Sequence, residues 1–306
     1  MSTSNMDKAL GSAARLSLTS TRRLPSGHAI PLLGFGVYQA RGDECRAGVQ
    51  EALKAGYRHI DSAQAYKNEH HVGAALAASG VPRAQVFLTT KFMPGHSVPT
   101  EDEVYAQLLR SGPRLNRGLD GAGGTSGAGA DGYVDLMLIH APRPNEPARA
   151  VHWAALARAQ AEGWVRDIGV SNFGVAHLRA LPAPTPAINQ IELHPWCQQR
   201  DIVAYCEQHD IAVQAYCPIV RADPKRLEDP VLVGISKKHG KGATHVLLRW
   251  SLQKGYIPLP KSVTPSRIRS NTELYDFELD AEDMAKLDAL DEGAAGACSW
   301  NPVNTP

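Results

Sequence analysis

The chain has no run of about 18 apolar residues, so no segment has the length and composition of a membrane-spanning helix. Its opening stretch, MSTSNMDKALGSAARLSLTS, lacks the apolar core of a secretion signal. Cysteine is scarce: Cys45, Cys197, Cys206, Cys217 and Cys298 are odd in number, widely spaced and form no CxxC pair. That argues against a disulfide framework and fits free thiols in a reducing, cytoplasmic compartment. Charge of one sign is missing as well, with 32 Lys+Arg against 31 Asp+Glu in 306 residues. So balanced a surface carries no broad field, which speaks against nucleic acid and anionic membrane as partners. No HExxH or carboxylate cluster occurs, and the adjacent His70 and His71 point apart on a helix, so no metal is expected. A Ser-His-Asp hydrolase is disfavoured because no GxSxG elbow follows a strand.

What is present is alternation. Residues 1–14 read as a flexible leader, and from Leu16 to Ile30 two short extended stretches flank the turn signal Pro25-Ser26-Gly27, as in a hairpin. Eight apolar strands follow, at Leu33–Val37, Tyr57–Ile60, Val86–Thr90, Val134–Ile139, Val165–Val170, Ile188–Ile191, Ala212–Ala215 and Ile257–Pro260. Amphipathic stretches such as Glu44–Ala55, Glu101–Leu115, Ala150–Glu162 and Asp201–His209 separate them. Continuous apolar strands fit a parallel sheet covered by helices. The count of eight, and polar residues at the ends of several strands, favour a closed (β/α)8 TIM barrel over an open doubly wound sheet. Residues 15–306 are thus expected to form a single barrel domain. Its segment 118–132, GLDGAGGTSGAGADG, reads as a flexible loop. The formal GxGxxG at Gly127, Gly129 and Gly132 is not a dinucleotide fingerprint, because a strand follows it where a helix is needed.

Four polar residues close or follow apolar runs: Asp61 after YRHI, Tyr66 five residues on, Lys91 after VFLTT and His140 after VDLMLI. A barrel brings the carboxyl ends of its strands to one mouth, so these four would share a pocket. A phenol is a weak acid, and a nearby ammonium lowers its pKa. Lys91 is the candidate ammonium, Asp61 its salt-bridge partner, and His140 a hydrogen-bonding group for a carbonyl oxygen. Together they can polarise and protonate a C=O. None can deliver a hydride, so a nicotinamide cofactor is required.

The residues also carry a family likeness. Tyr57-Arg58-His59-Ile60-Asp61-Ser62-Ala63 followed by Tyr66 and Asn68-Glu69 resembles the signature of the aldo-keto reductases. Leu138-Ile139-His140, Ile168 to Phe173, Asn189 to Pro195 and Ile257 to Ser262 resemble that family in the same order. WSLQKG, TPSRI and the terminal WNPV resemble its fungal and related microbial members. The resemblance implies a (β/α)8 barrel, NADPH bound in an extended pose, and reversible reduction of an aldehyde or ketone. It implies Tyr66 as general acid, Lys91 and Asp61 as its tuning pair, and His140 as the residue orienting the carbonyl.

For the cofactor the resemblance implies Ser171, Asn172 and Gln190 at the nicotinamide carboxamide and Tyr216 stacked on its ring. Lys261, Ser262, Val263, Thr264 and Arg267 form a local basic cluster opening a helix, suited to an anion. In the family that site holds the 2′-phosphate of NADPH, with Asn271 beside it. Ser270 stands where many relatives are acidic, Cys217 replaces a common serine and Arg221 a small hydroxyl residue. For the substrate, Tyr38, Met93, His140 and Trp300 are the candidates, with Trp196 a further aromatic, and the C-terminal segment is expected to help close an apolar pocket. A small carbonyl compound is the expected partner, and a monomer the expected state.

Two other readings stay open. Lys91 could act as a Schiff-base nucleophile in a lyase, which needs a depressed lysine pKa that Asp61 opposes. The chain could also be a cofactor-binding regulatory member with little turnover, against which the four retained positions argue.

Overall fold

The computed structural model describes residues 16–116 and 132–306. The expected leader and all but the last residue of the glycine-rich segment lie outside the described residues.

Two short strands, β1 (Thr21–Arg23) and β2 (Ala29–Pro31), pair antiparallel across the Pro25-Ser26-Gly27 turn. The other eight form one parallel sheet: β3 (Phe35–Gly36), β4 (His59–Asp61), β5 (Phe87–Phe92), β6 (Val134–Ile139), β7 (Val165–Ser171), β8 (Ile188–Glu192), β9 (Ala212–Tyr216) and β10 (Ile257–Pro258). They neighbour one another in sequence order, as repeated right-handed β/α units require. The seam between first and last strand is bonded too, Gly34 N–H donating to the Pro258 carbonyl at 3.1 Å and Gly36 N–H to Pro260 at 3.0 Å. The sheet is therefore a closed barrel.

Both seam strands are shorter than their apolar runs for a chemical reason. Proline has no N–H, so the chain cannot donate at Pro258 in β10 or at Pro260 just beyond it, but both carbonyls still accept, from Gly34 and Gly36. Close approach also demands a glycine here. A Cβ on Gly34 would lie 2.4 Å from Leu259 Cδ2 and 2.7 Å from His59 Nδ1.

The helices cover the outside. They include α1 (Gly42–Lys54), α2 (Glu69–Ser79), α3 (Glu101–Leu108), α4 (Ser111–Asn116) and α5 (Glu146–Ala161). The stretch read as one helix from Glu101 to Leu115 is two. The break at Leu109–Arg110 puts Pro113 in the first turn of a new helix, where its missing N–H costs nothing. α5 starts four residues earlier than its apolar face suggests, because the Asn145 side chain caps it by accepting from Ala148 N–H at 3.1 Å. Further round are α6 (Val175–Ala180), α7 (Arg200–Gln208), α8 (Pro224–Leu227), α9 (Pro230–His239), α10 (Ala243–Gln253), α11 (Pro265–Ser270) and α12 (Ala281–Asp288). No helix among the described residues is long and apolar enough to cross a membrane.

The ends that flank the glycine-rich segment meet. A Cβ on Gly132 would lie 2.6 Å from the Asn116 side chain, and Asn116 Nδ2 donates to the Tyr133 carbonyl at 3.0 Å. Buried Arg83 ties both sides, donating to Asn116 Oδ1 at 2.6 Å and to the Tyr133 carbonyl at 2.9 Å. This knot lies at the amino end of β6, and His140 follows its carboxyl end.

Candidate active site

Strand ends set the site. Inside a barrel every second residue points inward. On β4 these are His59 and Asp61, and on β5 they are Thr89 and Lys91, as the His59 Nε2–Thr89 Oγ1 contact of 3.1 Å shows. Lys91 Nζ donates to Asp61 Oδ1 at 2.6 Å and to the Ser62 carbonyl at 2.8 Å, with none of its side chain exposed. Asp61 Oδ2 accepts from Gln190 Nε2 at 2.9 Å, and the same nitrogen lies 2.9 Å from Gln214 Oε1. A polar ladder thus crosses the barrel from β4 to β8 and β9.

Tyr66 closes a short 3-10 turn after β4 (Gln64–Tyr66), and Lys67 at φ 56° ends it. Asn68 pins this turn. Its Nδ2 donates to the Val37 and Ala40 carbonyls at 2.9 and 3.0 Å, and its Oδ1 accepts from Ser62 Oγ at 2.7 Å. Glu69 faces outward and accepts from Thr90 at 2.7 Å and Arg114 at 3.1 Å. These two signature residues hold the scaffold that carries Tyr66.

At the mouth the Tyr66 ring meets His140 edge-on with centroids 5.7 Å apart, and Tyr38 at 5.0 Å. Lys91 Nζ lies 5.1 Å from the Tyr66 ring centroid. Burial, then the Asp61 charge, pushes the Tyr66 hydroxyl well above its ordinary value of 10.0. The expected lowering by Lys91 is therefore not what the phenol experiences. The ammonium gives its hydrogen bonds to Asp61 and Ser62 instead. Burial pulls Lys91 below its ordinary value while Asp61 pulls it back. His140 is driven down to about 3, by burial first and then by the Lys91 and Arg143 charges, so its imidazole is neutral. Its Nδ1 is buried and has no partner among the described residues.

The next strands supply the amide-binding candidates. Ser171 Oγ donates to the Gln190 carbonyl at 2.8 Å. Asn172 Nδ2 lies 3.1 Å from Ser171 Oγ and 3.0 Å from the His140 carbonyl. Tyr216 Oη reaches Asn172 Oδ1 at 2.8 Å and the Trp300 carbonyl at 3.2 Å. Gln190 points into the ladder, so its nitrogen is engaged below the mouth. Lys261, Ser262 and Val263 are half-buried at the end of β10, while Thr264 and Arg267 are exposed and Asn271 is buried. Among the described residues no carboxylate pairs with Lys261 or Arg267, whereas neighbouring Arg269 is paired with Glu51. Ser270 hydrogen-bonds His245 at 2.9 Å, and Arg221 is exposed on a turn at φ 56°.

Of the substrate candidates, Tyr38 and Trp300 are half exposed, at 50% and 53%. Met93 is partly buried, its sulfur 3.4 Å from Arg143 Nη2. Trp196 is 4% exposed within the core and is packing.

Sequence reasoning passed over two groups. Arg143 stands three residues after His140, its guanidinium 5.0 Å from the Trp300 ring centroid. Buried Glu192 anchors the C-terminal tail, accepting from Cys298 N–H at 2.5 Å, from Ser299 Oγ and from His194 Nε2 at 3.0 Å. Burial pushes this carboxyl up, but those hydrogen bonds outweigh it and hold it at about 2. Glu192, His194 and Cys298 carry ligand-type atoms within 4.8 Å of one another, yet the two carboxylate oxygens already serve the tail. Each of these groups looked like an ordinary flank of a motif in the sequence.

A family model described as the aldo/keto reductase family matches residues 33–292. The chain belongs to that family. It is an oxidoreductase by that membership. An aldo-keto reductase of Mycobacterium sp. (strain KMS) is 41% identical over 274 residues, covering 89% of this chain and 93% of the relative. Methylglyoxal reductase DkgA of Escherichia coli (strain K12) is 38% identical over 275 residues, covering 89% and 93%. Among solved structures, a Bombyx mori aldo-keto reductase in complex with NADP superposes with a TM-score of 0.78 at 33% identity, covering 90% of this chain and 94% of that one.

Proposed function

We propose that this aldo-keto reductase reversibly reduces an aldehyde or ketone to the alcohol with NADPH. The observation that carries the reading is the Tyr66–His140 pair, edge to face at the mouth with the Lys91–Asp61 ion pair behind it. A substrate carbonyl oxygen between the two rings can accept from Tyr66 and from a neutral His140. When bound, NADPH would supply the hydride that the carbonyl carbon needs. The oxygen takes the Tyr66 proton as its charge develops, and the Lys91–Asp61 pair holds the floor of the site behind the ring. A pKa raised by burial keeps that proton in place until the oxygen demands it.

The residues present fit the cofactor. Ser171 and Asn172 offer donors and acceptors, as a carboxamide needs, and Tyr216 offers a ring beside them. Among the described residues Lys261 and Arg267 lack carboxylate partners, which suits the 2′-phosphate, with Ser262, Val263, Thr264 and Asn271 around it. Tyr38, Met93 and Trp300 would wall the substrate. The Bombyx mori relative's complex with NADP and the name of the Escherichia coli relative support this cofactor and reaction class. Free thiols at all five cysteines are consistent with a reducing cytoplasm, and we take the protein to act as a monomer.

A Schiff base at Lys91 is disfavoured, because none of its side chain is accessible to a carbonyl carbon. The test is oxidation of NADPH with a panel of simple aldehydes and ketones. Turnover with formation of the alcohol is expected. Cofactor binding without turnover on any carbonyl would favour the regulatory reading.

A further inference from the structure

We propose that Arg143 recognises a carboxylate on the substrate, making the preferred substrate an oxo-acid rather than a neutral carbonyl compound. This rests on the reductase reading and adds the substrate class to it.

Arg143 is a half-buried cation at the mouth with too few partners. Its Nη2 faces the Met93 sulfur at 3.4 Å, a weak acceptor. Its Nε is buried without a hydrogen bond among the described residues. Its face lies 5.0 Å from the Trp300 ring centroid. Among the described residues no carboxylate pairs with it, although many other arginines of this chain, such as Arg83, Arg114 and Arg158, do pair with one. Buried charge is normally paired, and a guanidinium presents a fork that matches a carboxylate in a plane.

The placement suits a bifunctional ligand. Arg143 follows His140 by three residues and meets Met93, two residues past Lys91, and Trp300, whose carbonyl accepts from Tyr216 Oη at 3.2 Å, so a carbonyl held by His140 and Tyr66 leaves the rest of the molecule on the side of Arg143. Beyond Met93 lies an open cleft of about 670 Å³ that also carries Lys67, His70 and Arg110. Its one acid, Glu69, is already held by Thr90 and Arg114. The lining of this cleft thus carries three cations, Lys67, Arg110 and Arg114, against that one carboxylate.

The experiment compares 4-carboxybenzaldehyde with 4-methylbenzaldehyde, of similar length and differing in charge, with NADPH. In the unmutated protein the kcat/KM ratio should favour the carboxylate about tenfold or more, the scale of one charge-assisted contact. Arg143→Met should lower that ratio roughly tenfold to a hundredfold, and Arg143→Lys should restore part of it. A ratio near one in the unmutated protein overturns the proposal. So does an equal loss on both aldehydes in Arg143→Met, which would make Arg143 a prop for Trp300. Should that variant not fold, inhibition of the unmutated protein by benzoate and benzamide decides, tighter benzoate being expected and equal inhibition overturning. Should no aldehyde consume NADPH, the reductase reading fails. The carboxylate site is then judged by tryptophan fluorescence titration with benzoate and benzamide, where equal affinity overturns it.

Discussion

The proton on Tyr66 is held tightly, since burial and the Asp61 carboxylate both resist its loss. Tyr66→Phe keeps the ring between Tyr38 and His140 and removes the proton. We expect kcat to fall about 10²–10⁴-fold with NADPH binding nearly unchanged. Steady-state turnover and cofactor titration check it, and turnover at the unmutated rate would remove Tyr66 from its role. Asp61, Tyr66, Lys91 and His140 were legible because a polar residue beside a buried strand stands out. Their electrical state was not. Proximity of Lys91 suggested an acidified phenol, but hydrogen bonds to Asp61 and Ser62 direct its charge elsewhere. Arg143 could not be read, since only folding shows that it has no acid to meet.

At the scale of elements, strand order and the hairpin were visible in apolar runs and turn residues, and the eight barrel strands lie where the sequence suggested. Helix ends were less visible, because capping by Asn145 and the tolerance of Pro113 in a first turn outweigh the apolar face. The segment from Lys261 through α11 carries the clearest test at this scale. With Lys261 and Arg267 unpaired by any described carboxylate, replacing both by alanine removes the contacts proposed for the 2′-phosphate. NADPH affinity should drop at least tenfold, at roughly 1.5–3 kcal/mol for each charge-assisted bond, while NADH affinity changes much less. Isothermal titration with both cofactors measures this. Equal affinity of the unmutated protein for the two would remove the assignment.

The molecule as a whole stores neutral histidines. His152 is fully buried with both ring nitrogens unpartnered among the described residues, and burial lowers it to about 4. His59 is lowered to about 4 as well, by burial above all. The unfolded chain takes up these protons near pH 6.5, the folded chain only near 4. Between those values the unfolded state binds more protons, so stability falls as pH drops through this window and the loss levels off below it. One such group is worth on the order of 3 kcal/mol at full extent. His152→Leu should therefore flatten the decline between pH 7 and pH 4.5, as read by denaturant unfolding at each pH. An unchanged decline would show that His152 is not the group responsible.

The bonded seam has a consequence for how the chain is made. Gly34 and Pro258 lie roughly 220 positions apart, so the contact between them is among the least local a fold of this size can contain. During synthesis β3 leaves the ribosome long before β10 exists, and its carbonyls and N–H groups wait without their final neighbour. A chain released before Ile257 would keep two open sheet edges, the template on which strands of different molecules pair. The last strand is two residues long, yet it turns an adhesive ribbon into a finished surface.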